Sequence, residues 1–197
     1  KRLHVGETYT LREEFAPYGY LKAEEVEFTI TDTAEIQKVE MKDDVPIGRI
    51  IINKKGEFLS EVTWNEMVAG AMDSIWDYVT GSLKDVTFEI YAREDVKAAD
   101  GESDDYYKKD ELVATITTDE LGFARSDDLP LGKYYVVEKE TANGFVLDGE
   151  PRDIDLTYRD QDTPVVTYDS EWQNSRQKAK VIVTKKESRR PSGLRKT

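Results

Sequence analysis

The chain has 197 residues, 35% of them charged, with a formal net charge of -13 and no cysteine. An acidic, well-solvated surface excludes nucleic acid and anionic membrane as main partners, and without cysteine neither disulfides nor thiolate chemistry can hold or run the protein. The one histidine, His4, leaves no His-rich metal site and argues against a Ser-His-Asp triad, so no metal and no cofactor is expected.

Taken in order, residues 1–46 read as strands at Thr8–Arg12, Val26–Ile30 and Val39–Met41, with a turn at Ala16-Pro-Tyr-Gly19. After Pro46 and Gly48 comes a strand over Arg49–Lys54, with Ile50, Ile52 and Lys54 on one face. Residues 63–79 differ in kind. Thr63 and Glu66 make a capping-box signature, and Trp64, Met67, Val68, Ala71, Met72, Ile75, Trp76 and Val79 follow helical spacing. The spacing predicts one amphipathic helix around 63–79, ended by Gly81.

The two-residue period then resumes. Val86, Phe88 and Ile90 alternate, and Leu112–Thr117 follows an acidic loop. Pro130-Leu-Gly132 turns into Tyr134–Val137; Ile154, Leu156 and Tyr158 alternate; and Val165–Tyr168 leads on to Trp172 and Asn174. Many short strands between turn signals predict an all-β fold, an antiparallel β-sandwich with the one inserted helix. No run is long and apolar enough to span a membrane and no signal peptide is visible, so no membrane contact by this segment is expected.

An internal repeat sets the expected domain borders. Val181-Ile-Val-Thr-Lys-Lys-Glu187 matches Ile50-Ile-Ile-Asn-Lys-Lys-Gly56, and Tyr9, Leu11 and Glu13 form the same row as Tyr134, Val136 and Glu138. The chain therefore reads as 1–46, the C-terminal half of a first domain; 47–177, a complete domain; and 178–197, the first strand of a following domain plus a basic tail.

Within the complete unit three polar residues lie in phase with apolar rows: Lys54 after Ile50 and Ile52, Glu138 after Tyr134 and Val136, and Asn174 after Trp172. A buried ammonium or carboxylate either shifts its pKa toward the neutral form or demands a partner. A neutral lysine amine is a nucleophile, a glutamic acid can relay protons, and an asparagine amide can lose ammonia. Together they can form a Lys54–Asn174 isopeptide bond with Glu138 as the relay. The bland alternative is a buried hydrogen-bonded network with no covalent bond.

These residues resemble the Cna B-type (SpaA-like pilin) domains of Gram-positive surface proteins. The family pattern Tyr-x-Leu-x-Glu-x-x-Ala-Pro-x-Gly-Tyr is met at every fixed position by Tyr9–Tyr20. Tyr134–Phe145 meets it more loosely, with Val136 for Leu, Thr141-Ala142 for Ala-Pro and Phe145 for Tyr. The resemblance implies a prealbumin-like sandwich, a self-made crosslink in each complete domain and no enzymatic turnover. It maps the reactive lysine to Lys54 and Lys185, the catalytic glutamate to Glu138 and Glu13, and the last-strand Asn or Asp to Asn174 and Asp43. Lys185 could complete the Glu13–Asp43 set only from another molecule or by folding back. The implied role is a stalk or spacer repeat of an extracellular, cell-wall-anchored adhesin or pilus-associated protein, with neighbouring repeats as partners. The competing reading is an adhesin module that binds a host matrix protein or glycan through the helix and loops. The loop Asp100–Asp105 matches no EF-hand spacing and reads as a solvated acidic hairpin loop. Neither a Tyr-Pro-Lys motif nor a Leu-Pro-x-Thr-Gly signal occurs in the sequence.

Overall fold

A computed structural model describes residues 3–66 and 72–179. Among these the strands are β1 (Thr8–Leu11), β2 (Val26–Thr29), β3 (Ile47–Glu66), β4 (Met72–Ser82), β5 (Thr87–Ala92), β6 (Leu112–Thr117), β7 (Phe123–Arg125), β8 (Leu129–Pro130), β9 (Gly132–Glu140), β10 (Arg152–Leu156) and β11 (Val165–Asn174). The predicted strand at Val39–Met41 is absent; that stretch has no regular structure.

Two sheets make the sandwich. One has the order β10-β9-β5-β6, and the other β11-β3-β4, with β7 and β8 also paired to β3. Alternation decides which side chains meet between them. Ile50 and Ile52 of β3, Phe88 and Ile90 of β5, Tyr134 and Val136 of β9, Ile154 and Leu156 of β10 and Trp172 of β11 are all buried. Phe88 meets Trp172 edge-on across the sheets, ring centroids 5.1 Å apart. Most pairings are antiparallel, as predicted. The exception is β3 with β11, which run parallel with Trp172 opposite Lys54 and Asn174 opposite Gly56. The first and last strands of the sandwich thus lie side by side and leave it in the same direction.

The predicted helix is overturned. Residues 57–66 continue β3 beyond the sandwich and pair with β4 as a two-stranded ribbon, and no helix occurs among the described residues. Thr63, the expected helix cap, sits opposite Ile75, and Gly81 is a strand residue opposite Gly56. The stretch contains Val62, Thr63, Trp64, Ile75, Trp76, Tyr78 and Val79, β-branched and aromatic residues that suit a pleated surface better than a helix. A stripe of large apolar residues met both periods, and composition decided between them.

Residues 1–46 add the two-stranded β1–β2 sheet and loops that reach the sandwich. The Ala16 amide donates to Gln161 Oε1 at 2.9 Å, and the Lys22 amide to the Gln161 carbonyl at 3.0 Å. Tyr158 donates to the Tyr20 carbonyl at 3.1 Å.

Candidate functional site: a buried Lys–Glu–Asn cluster

Lys54 is wholly buried, and Glu138 and Asn174 are each 1% exposed. Each arrives there because it continues an inward row. Lys54 extends Ile50 and Ile52, Glu138 extends Tyr134 and Val136 on the facing sheet, and Asn174 extends Trp172 on the strand parallel to β3. Lys54 Nζ donates to Glu138 Oε2 at 2.5 Å and to Asn174 Oδ1 at 2.7 Å. Asn174 Nδ2 donates to Glu138 Oε1 and, at 2.8 Å, to Thr141 Oγ1. One carboxyl group therefore bridges both nitrogens, one oxygen on each.

The surroundings act on the amine from two sides. Burial pushes the Lys54 pKa below its ordinary value, and Glu138 and Asp148 oppose that shift. The net direction is down, toward the neutral nucleophile. The rings of Phe88 and Trp172 flank Nζ at 5.6 and 5.7 Å, closing it off from water. The Arg152 guanidinium lies 3.9 Å from the Trp172 ring centroid, capping the cluster from β10.

The backbone fixes the lysine as firmly. Its amide donates to the Gly122 carbonyl at 2.7 Å, and its carbonyl accepts from Leu83 at 3.0 Å. Gly122 has φ of +80°, and a Cβ there would stand 2.5 Å from the Lys54 carbonyl oxygen. Tyr134, in the row of Glu138, donates to the Pro130 carbonyl at 2.6 Å and so ties β9 to the turn before it.

Of the residues singled out in the sequence, Lys54, Glu138 and Asn174 come together. Glu13 and Asp43 are not among the hydrogen-bond partners of this cluster. Glu13 Oε2 accepts from the Ala23 amide at 2.8 Å, and Asp43 lies in an irregular, partly exposed segment. Lys185, with the Val181–Glu187 repeat and the basic tail, lies outside the described residues. Thr141, Phe88 and Arg152 were missed. Thr141 had a signal, since it stands where the resembled pattern has alanine; the other two are ordinary strand residues until the sheets face each other.

A two-sheet β-sandwich whose first and last strands are bridged by a buried Lys–Glu–Asn cluster defines the class. The SpaA prealbumin-like fold domain matches residues 1–45 and 76–172, well over half of the chain. The chain belongs to that family. The matched residues include Glu138 but stop short of Asn174 and omit the strand that carries Lys54. Among solved structures, the TIE protein of Bacillus anthracis is similar at 22% identity and a TM-score of 0.50 over 86% of this chain and 25% of that one. GBS52, the minor pilin of the Gram-positive pathogen Streptococcus agalactiae, is similar at 14% identity and a TM-score of 0.43 over 91% of this chain and 64% of that one. The major pilin SpaA of Corynebacterium diphtheriae, of modular assembly with stabilising isopeptide bonds, is similar at 18% identity and a TM-score of 0.41 over 66% of this chain and 31% of that one. The chain thus spans a quarter to about two thirds of the length of these proteins. No curated protein matches it.

Proposed function

We propose that residues 47–177 form a self-crosslinking stalk repeat of a Gram-positive cell-surface protein, pilus-type in its assembly and extracellular. The observation that carries this reading is the bridging of Lys54 Nζ and Asn174 Nδ2 by the two oxygens of one buried carboxyl group. That is the arrangement a transamidation needs. The neutral Lys54 amine, already 2.7 Å from Asn174 Oδ1, swings its lone pair onto Cγ and forms the new C–N bond. Glu138 takes the proton from Nζ at Oε2 and returns one to Nδ2 from Oε1. The old C–N bond breaks, ammonia leaves, and Glu138 ends in the protonation state in which it began. The event occurs once per chain.

Its consequence is mechanical. The bond joins strands at the two ends of the domain, 120 residues apart in sequence. On the chain-entropy account of crosslinks, such a loop stabilises by about 4–5 kcal/mol, and an amide is immune to reduction. Because β3 and β11 run parallel and adjacent, a pull between the domain's ends loads the bond directly.

The competing reading, an adhesin module that binds a host ligand through the helix and loops, loses its helix, since residues 57–66 and 72–82 pair as a ribbon. Intact mass under denaturing conditions tests the proposal. The wild-type chain should be one ammonia lighter than its sequence, and a peptide joining Lys54 to Asn174 should appear on digestion. A wild type at full calculated mass sinks it.

A further inference from the structure

Beside the Lys54 cluster stands a charged pair that the three reacting residues do not use. Arg152 begins β10, on the row that Ile154 and Leu156 continue into the core, and lies opposite Val136 of β9. A guanidinium at the start of an inward row is out of character. It makes two contacts there. Nη2 donates to Asp148 Oδ2 at 2.8 Å, and the guanidinium carbon stands 3.9 Å from the Trp172 ring centroid, within cation–π range.

Trp172 is a wall of the space that holds the amine. The same ring lies 5.7 Å from Lys54 Nζ, and Trp172 is the register partner of Lys54 on β11. Among the described residues its Nε1 has no hydrogen-bond partner, so the ring is held by what packs on it: Phe88 edge-on at 5.1 Å, and the Arg152 guanidinium. The planar group of arginine suits that stacking, and a lysine would not reproduce it.

The charges that act on Lys54 come from three places. Glu138 on β9 and Asp148 in the loop before β10 favour the ammonium, whereas Arg152 on β10 opposes it, in the same direction as burial. Phe88 on β5 and Trp172 and Asn174 on β11 face the amine without charge. Glu138 is committed to the cluster. Arg152 and Asp148 act on Lys54 from outside it, with opposite signs, and they are paired with each other.

We propose that Arg152 is a positioning residue of the crosslinking site, seating the Trp172 ring beside Lys54 and keeping the amine uncharged, and that Asp148 restrains it through their ion pair. This regulation rests on the crosslinking reading given above.

The Arg152 and Asp148 side chains are 38% and 29% exposed, so both can be replaced without opening the core. The crosslinking rate of freshly synthesised chain is followed by intact mass across a range of pH. Arg152→Met keeps an apolar cover and removes the charge, and the midpoint of the rate profile should move up by about 0.5 pH unit or more. Asp148→Asn should move it down. Arg152→Lys keeps the charge and loses the planar stack, so the midpoint should stay while the plateau falls. A merely structural cover would lower the plateau without moving any midpoint, and that result overturns the proposal. Midpoints that move the same way in Arg152→Met and Asp148→Asn overturn it too. A second measurement needs no bond. In a chain carrying Asn174→Ala, which cannot crosslink, NMR titration of the Lys54 side chain should show the same opposite shifts, and unchanged titration curves overturn the proposal. A wild type at full calculated mass sinks the crosslinking reading, and this titration still decides whether Arg152 and Asp148 set the charge of Lys54.

Discussion

Glu13 and Glu138 end the same kind of apolar row, yet they live in different surroundings. The segment around Glu13 fits the family pattern at every fixed position, but its carboxylate holds only the turn that follows, through the Ala23 amide. The segment around Glu138 fits loosely, but its carboxyl group is sealed between two sheets with the Lys54 nitrogen on one oxygen and the Asn174 carboxamide on the other. The pattern and the chemistry are therefore separable. Only the looser copy turns its acid inward: β9 carries Glu138 into the core, whereas β1 ends at Leu11, which is exposed, and Glu13 follows it half-buried. The proposed reaction requires a lysine and an asparagine to arrive opposite an inward acid, and among the described residues β3 and β11 bring Lys54 and Asn174 to Glu138.

The largest effect that can break this comparison comes from the two glutamates themselves. Glu138→Ala should give a chain at full calculated mass, whereas Glu13→Ala should keep the loss of one ammonia. Asn174→Ala, which keeps the Lys54–Glu138 pair and removes the electrophile, should also stay at full mass and unfold with about 4–5 kcal/mol less stability in denaturant titration. Glu138→Ala should fall further, because an unpaired buried ammonium costs about 3–5 kcal/mol more. If Glu13→Ala abolishes the mass loss as well, the two regions are not independent and the assignment of the reaction to one unit fails.

Much of this contrast was legible before any coordinates. A period of two is strict, so Lys54, Glu138 and Asn174 had to face the way their apolar neighbours face, and a sandwich brings inward rows together. The ribbon was misread for a reason of the same kind. The apolar residues of 63–79 satisfied the 3.6 period, and nothing in the pattern said that β3 runs on beyond its sheet. Strands β7 and β8 are three and two residues long, too short for any alternation to register. Thr141 lies just past the end of β9, where a hydroxyl has no periodic signature and its partner is set by the third dimension.

A middle-sized effect sharpens the contrast at the level of the backbone. Gly122 and Gly19 both have positive φ, but they differ in what surrounds them. A Cβ at Gly122 would collide with the Lys54 carbonyl, while Gly19 has nothing within 4 Å. Gly19→Ala should cost only the left-handed backbone penalty of about 1–2 kcal/mol. Gly122→Ala should cost that plus a displacement of the Lys54 strand, about 1–3 kcal/mol more, and should slow crosslinking in a mass time course. Equal losses at the two sites would mean that the Gly122 turn does not hold the lysine in place.

The smallest effect concerns the rate at which the bond forms, and it tests whether the cluster is organised beyond its three reacting residues. Thr141 Oγ1 accepts from Asn174 Nδ2, holding the carboxamide with its oxygen toward Lys54 and its nitrogen toward Glu138 and Thr141. Thr141→Ala removes one hydrogen bond, typically worth about 0.5–1.5 kcal/mol, so freshly synthesised chain should crosslink more slowly by up to about tenfold and still reach completion. Thr141→Ser should restore the rate. The pH dependence supplies the sign. Folding lowers the Lys54 pKa, so the neutral amine gains population as pH rises through that lowered value. The crosslinking rate of the wild type should therefore increase with pH and level off below 10.5, the ordinary lysine value. Because Thr141 holds the electrophile and not the amine, Thr141→Ala should lower that plateau without moving its midpoint. A shifted midpoint would place Thr141 in the proton relay with Glu138 instead.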